Sequence, residues 1–141
     1  MLCRDPLWLA GTIAYWCEGA KTCNDVRFAN ADVGLIRVFI AWSTRFLERG
    51  PDRMSCQLHL HDGQEPELEI QVWSDATGIP TQRFVKPFFK PSGTGHRRQR
   101  LEHGVALIRV QRSTDAFHRI SGWIDALPDL MTASTPRPDP L

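Results

Sequence analysis

Residues 5–19 read Asp5-Pro6-Leu7-Trp8-Leu9-Ala10-Gly11-Thr12-Ile13-Ala14-Tyr15-Trp16-Cys17-Glu18-Gly19, and the architecture of the rest follows from them. Asp5 suits an N-cap, because its carboxylate can accept the unpaired amides of a first helical turn. Pro6 suits the first helical position, where a missing N–H costs nothing. Gly19 fits a helix stop. Between them the pattern predicts a helix over residues 7–18, apolar all round and therefore buried on more than one side. Ala10, Gly11 and Ala14 form a stripe of small residues that lets another backbone come close. That backbone belongs either to the protein's own sheet or to the same helix of a second subunit.

Outward from this helix, residues 26–30 alternate apolar and polar as a half-buried strand does, with residues 21–24 as a short strand partner. Asn30 and Asp32 announce a second helix, striped by Leu35, Ile36, Phe39, Ile40, Phe46 and Leu47 and ended by Gly50-Pro51. Residues 54–61 read as a strand, with Cys56, Leu58 and Leu60 on one side and Gln57, His59 and His61 on the other. A turn at Asp62-Gly63 leads to a helix over residues 66–76. An extended segment over residues 84–89 is broken by Pro87, and a basic loop occupies residues 90–100. Residues 105–111 form a strand. Ser113 or Thr114 then caps a last helix carrying Phe117, Ile120, Ile124 and Leu127, with Pro128 as its stop. Such runs of strands and helices predict the α+β class: an antiparallel sheet with helices on one face and one inserted helix. They form a single domain over residues 1–127, followed by a flexible Pro-rich tail over residues 128–141.

A chain of 141 residues is one domain's worth. No apolar run nears the roughly 18 residues of a membrane helix, and Asp5, Pro6 and Glu18 interrupt any leader-like stretch, so a soluble, cytoplasmic protein is expected. Cys3, Cys17, Cys23 and Cys56 lack both a disulfide framework and the spacing of a zinc module, even with His59 added, and are expected as reduced thiols. The formal net charge of +1 hides an uneven distribution. Residues 76–101 contain no acid but hold Arg83, Lys86, Lys90, Arg97, Arg98 and Arg100. Such a cluster would neutralise several phosphates and make binding salt-dependent. The interleaved Phe84, Phe88 and Phe89 are expected to anchor this segment in the core. Ser92-Gly93-Thr94-Gly95 lacks the pattern of a phosphate loop, and no nucleophile elbow or redox motif is present.

The run from Leu9-Ala10-Gly11 to Glu18-Gly19 resembles the motif helix of the LAGLIDADG homing endonucleases, with the acid-glycine pair two residues late. The steps Phe28-Ala29-Asn30-Ala31-Asp32 to Leu35-Ile36, and His103-Gly104 to Ser113-Thr114, are similar to strand-to-helix steps of that fold. The resemblance covers about residues 7–127. It implies an αββαββα core with a saddle-shaped sheet whose concave face lies along double-stranded DNA. It also implies a homodimer through the first helix (Ala10, Gly11 and Ala14) and a Mg²⁺ held by Glu18 at that helix's end. Lys21 would then stabilise phosphate charge.

Each candidate also has a plainer reading. Glu18 is otherwise a solvated carboxylate at a helix end, and Lys21 a favourable cation beyond a helix C-terminus. Gln57, His59 and His61 read bases or phosphates, or form a solvated strand face. Arg27, Arg109 and Gln111 alternate on their strands and suit guanine and adenine in the major groove. Arg109, in an apolar strand, either reaches the exposed face or pairs with an acid. Three functions are therefore expected in competition. The first is a dimeric Mg²⁺-dependent DNA endonuclease. The second is a non-catalytic DNA-binding or regulatory protein on the same scaffold. The third is a protein–protein interaction domain using the apolar helix and the five tryptophans.

Overall fold

A computed structural model describes residues 1–91 and 101–133. The first helix, α1 (Pro6–Glu18), starts where Asp5 accepts hydrogen bonds from the amides of Leu7 at 2.9 Å and Trp8 at 3.3 Å. The same carboxylate pairs with Arg45 at 2.8 Å, on the second helix, α2 (Val33–Phe46). Only one side of α1 is buried, through Trp8, Gly11, Thr12 and Tyr15; Ala10, Ile13, Trp16, Cys17 and Glu18 are exposed. Burial all round, expected from composition, is thus corrected to burial on one side.

Gly11 lies against α2. A Cβ there would stand 2.1 Å from Cγ of Trp42, so only glycine permits this approach. The expected small-residue stripe therefore divides. Gly11 makes a contact within the chain rather than between subunits, Ala14 is half-buried against the core, and Ala10 lies on the outer side.

The fold is α+β. The strands are β1 (Arg27–Asn30), β2 (Met54–His61), β3 (Phe88–Lys90) and β4 (Val105–Val110), in the order β1-β4-β2-β3. β4 is antiparallel to both β1 and β2, whereas β3 is parallel to β2. The expected all-antiparallel sheet is therefore mixed. The third helix, α3 (Pro66–Thr77), lies between β2 and β3 in the chain, and such a crossover returns the chain in its original direction. Residues 21–25 form bends and no strand; a bridge between Gly19 and Phe28 is what remains of the expected pair. The last helix, α4 (Thr114–Thr132), passes through Pro128 instead of stopping there. Residues 128–132 are exposed, so water can hydrate the carbonyl that proline leaves without a donor. Residues 128–132 of the expected tail are thus helical, and residues 134–141 lie outside the described residues.

The core lies on one face of the sheet. Met54, Cys56, Leu58 and Leu60 of β2 and Ala106, Ile108 and Val110 of β4 meet Ile36, Phe39 and Ile40 of α2, Trp73 of α3 and Phe117 and Ile120 of α4. Phe28 of β1 stacks on Phe39 at 4.6 Å, and Trp42 meets Trp123 of α4 edge-on at 6.1 Å. Burial pushes the Cys56 thiol up to about 12, which keeps it protonated and unreactive.

Gly11→Ala is expected to destabilise the protein by about 1–3 kcal/mol through overpacking against Trp42. Gly122, in α4, has nothing within 4 Å of its Cβ position. Gly122→Ala is therefore expected to stabilise by about 0.5–1 kcal/mol. Urea unfolding of both variants checks the pair; equal effects would mean that α1 and α2 do not meet this closely.

Candidate nucleic-acid interface

Strand alternation puts a second set of side chains on the face away from the core. Strand register groups them in rows across the sheet. Arg27, Arg109 and Ser55 form one row; Ala29, Leu107 and Gln57 the next; then Val105, His59 and Phe88; then His61 and Lys90. All are half-buried or exposed, while their neighbours along β2 and β4 are buried. The described helices contribute their buried side chains to the other face.

Six of the residues singled out in the sequence thus meet on one surface: Arg27, Gln57, His59, His61, Lys90 and Arg109. Gln111 lies just past the end of β4 and is exposed. Lys86 is exposed on the approach to β3, where its carbonyl accepts the Gln57 amide at 3.0 Å. Arg83 is half-buried at the end of a short 3-10 turn (Thr81–Arg83). Arg97, Arg98 and Arg100 lie outside the described residues.

Arg109 does both things the sequence left open: it reaches the exposed face and it pairs with an acid. Asp25 accepts from Nε of Arg27 at 2.7 Å, Nη2 of Arg27 at 3.2 Å and Nε of Arg109 at 2.9 Å. Burial pushes the Asp25 carboxyl up, but hydrogen bonds from Arg27 and Cys23 and the two guanidinium charges outweigh it, holding it below the usual range. Asp25 was not legible as part of this face, because it precedes β1 in a bent segment with no periodicity. Asn24 and Arg112 nearby both have left-handed backbones, with φ of 55° and 49°. With Asp25, Arg109 and Gln111 they line an open cleft of about 570 Å³ at this end of the sheet.

Phe84 packs against the core as expected, but Phe88 and Phe89 do not anchor there; they are 50% and 41% exposed. β3 is a three-residue edge strand, and its register puts Phe88 beside His59, with ring centroids 5.3 Å apart.

Glu18 ends α1 as an exposed carboxylate. Lys21 donates to the Gly19 carbonyl at 3.2 Å, the role of a cation just past a helix C-terminus. Among the described residues, no three His, Cys, Asp or Glu side chains gather as a metal would require. The Glu18 carboxylate is the right donor for a hard cation such as Mg²⁺, and such a site needs further oxygen ligands beside it. The four cysteines are free. No described helix is long and apolar enough to cross a membrane. Compared with protein-family models, curated proteins and solved structures, the chain matches none.

Tyr15 ties α1 to β1: its hydroxyl donates to the Ala20 carbonyl at 2.7 Å and accepts from the Arg27 amide at 3.4 Å. Burial raises its phenol from 10.0 to about 12. The folded protein therefore keeps a proton that the unfolded chain has released, so this contribution to stability is complete below pH 10 and lost between pH 10 and about 12. In urea titrations across that window, wild type should lose stability more steeply than Tyr15→Phe. Parallel slopes would contradict the burial of this hydroxyl.

Proposed function

We propose that the protein binds double-stranded DNA through the helix-free face of its sheet, on a LAGLIDADG-like scaffold. The observation that carries this reading is the composition of that face. Among the described residues, Arg27, Arg109, Lys90, His59, His61 and Gln57 share it with one carboxylate, Asp25. Lysine and arginine neutralise phosphates, while arginine and glutamine can read base edges in the major groove. The formal net charge of +1 does not oppose this, because the relevant charge is gathered on one surface. The αββαββα description would take the bends at residues 21–25 as a strand lost from the first pair.

In this reading the protein is a homodimer through the outer face of α1, where Ala10, Ile13 and Trp16 are exposed. Two copies of Glu18 would then approach one another, and Mg²⁺ bound between them would supply Lewis-acid chemistry for phosphodiester hydrolysis. The non-catalytic alternative has a specific observation in its favour: Lys21, the expected phosphate cation, already donates to Gly19.

Gel shifts and plasmid nicking, each with Mg²⁺ and with EDTA, test this. Binding should weaken steeply with salt. Lys90→Ala, which removes a cation that pairs with no acid among the described residues, should lower affinity for all duplexes and reduce the salt slope by about 1. Mg²⁺-dependent nicking abolished by Glu18→Gln, with binding kept, assigns the nuclease. Binding without nicking assigns the non-catalytic protein. Absence of binding at low salt would sink both and leave the interaction-domain reading.

A further inference from the structure

Phe88 is the one phenylalanine among the described residues of the face above, and in a groove-reading mode its ring has only thymine methyls to touch. Its side chain lies on a strand at the edge of the sheet, half-exposed. His59 faces it in register, the two rings 5.3 Å apart and inclined at 51°. Lys90 follows on the same strand and face, paired in register with His61. The one carboxylate of the face, Asp25, sits at its opposite end, beside Arg27 and Arg109. The rings thus form a half-exposed aromatic pair with Lys90 and His61 in register beside it, and the nearest acid in sequence, the exposed Asp62, lies past the end of β2.

A phenyl ring carries no hydrogen-bonding group and cannot read the polar edges that a paired duplex shows in its grooves. Its flat π surface matches the face of a base, which a duplex keeps stacked out of reach. A protein partner would want Phe88 continuous with other exposed apolar side chains on the same surface. Its direct neighbours there are instead His59 and Lys90, the apolar Val105 and Leu107 of the face are half-buried beyond His59 and Gln57, and Phe89 falls by alternation on the helix side, opposite Leu60. The cations favour an anionic ligand.

We infer that the Phe88–His59 ring pair receives an unpaired nucleobase, so that the preferred ligand is DNA carrying a single-stranded or extruded nucleotide at this edge of the sheet. This rests on the DNA-binding reading and specifies its ligand. The base stacks on Phe88, and Lys90 lies where the adjoining phosphate passes.

The test is fluorescence anisotropy at low salt with three labelled DNAs of one sequence: a full duplex, the single strand, and the duplex with one unpaired nucleotide. The proteins are wild type, Phe88→Leu and Phe88→Trp. Wild type should bind the two DNAs with unpaired bases about 5- to 150-fold more tightly than the duplex, the range of one base–aromatic stack. Phe88→Leu should lose that preference and keep its duplex affinity, and Phe88→Trp should restore the preference. Equal or tighter binding of the full duplex by wild type overturns the inference while leaving DNA binding intact. So does an equal loss on all three DNAs in Phe88→Leu. No binding to any of them removes the DNA reading and this inference together. If Phe88→Leu then abolishes self-association, the ring pair belongs to a protein contact.

Discussion

The close approach of α1 to α2 at Gly11 is the contact on which the rest of the packing depends. Because Gly11 has no side chain, the Trp42 indole lies directly on α1. From there the ring reaches Tyr15 at 5.9 Å, Phe39 at 6.0 Å and Trp123 at 6.1 Å. Trp123 belongs to α4 and also meets Trp8 of α1 at 5.7 Å, so one indole sets the spacing of three helices. Phe39 carries the arrangement into the sheet by stacking on Phe28. Aromatic contacts of this kind add to the burial of large rings and restrict their orientation.

With the helices fixed in one layer, the sheet has one apolar face and one that can carry polar chemistry. Strand alternation does the sorting: every second residue of β2 and β4 must be apolar to fill the core, and the intervening positions are released from that demand. Among the described residues of that surface, Asp25 offsets one of the two charges of Arg27 and Arg109 and holds the two side chains together. Those two ion pairs are partly sheltered and orient both guanidinium groups, while Lys90 at the far edge is an exposed point charge.

Much of this was legible because local chemistry dictates it. Asp5-Pro6 caps α1 wherever α1 packs, and alternation in residues 54–61 assigns Gln57, His59 and His61 to the polar side before any partner strand is known. Other features depend on contacts distant in sequence. The stripe Ala10, Gly11 and Ala14 says that something comes close, but not that it is Trp42 of the same chain. The direction of β3 follows from the α3 crossover, not from residues 88–90. The exposure of Phe88 follows from its register against His59, so an aromatic that composition assigns to the core lies on the surface. Pro128 reads as a helix stop, yet at an exposed helix end its missing donor can be replaced by water.

The strand order has a consequence for the birth of the molecule. β4 sits between β1 and β2, yet it is the last strand to leave the ribosome. Until residues 105–110 emerge, β1 and β2 have no hydrogen-bonded connection, and the backbone edges facing the empty slot stay unpaired. Its pairing with β1 joins segments far apart in the chain, a slow kind of closure. The nascent protein therefore holds its apolar half open until this late and central strand inserts and joins β1 to the β2–β3 pair.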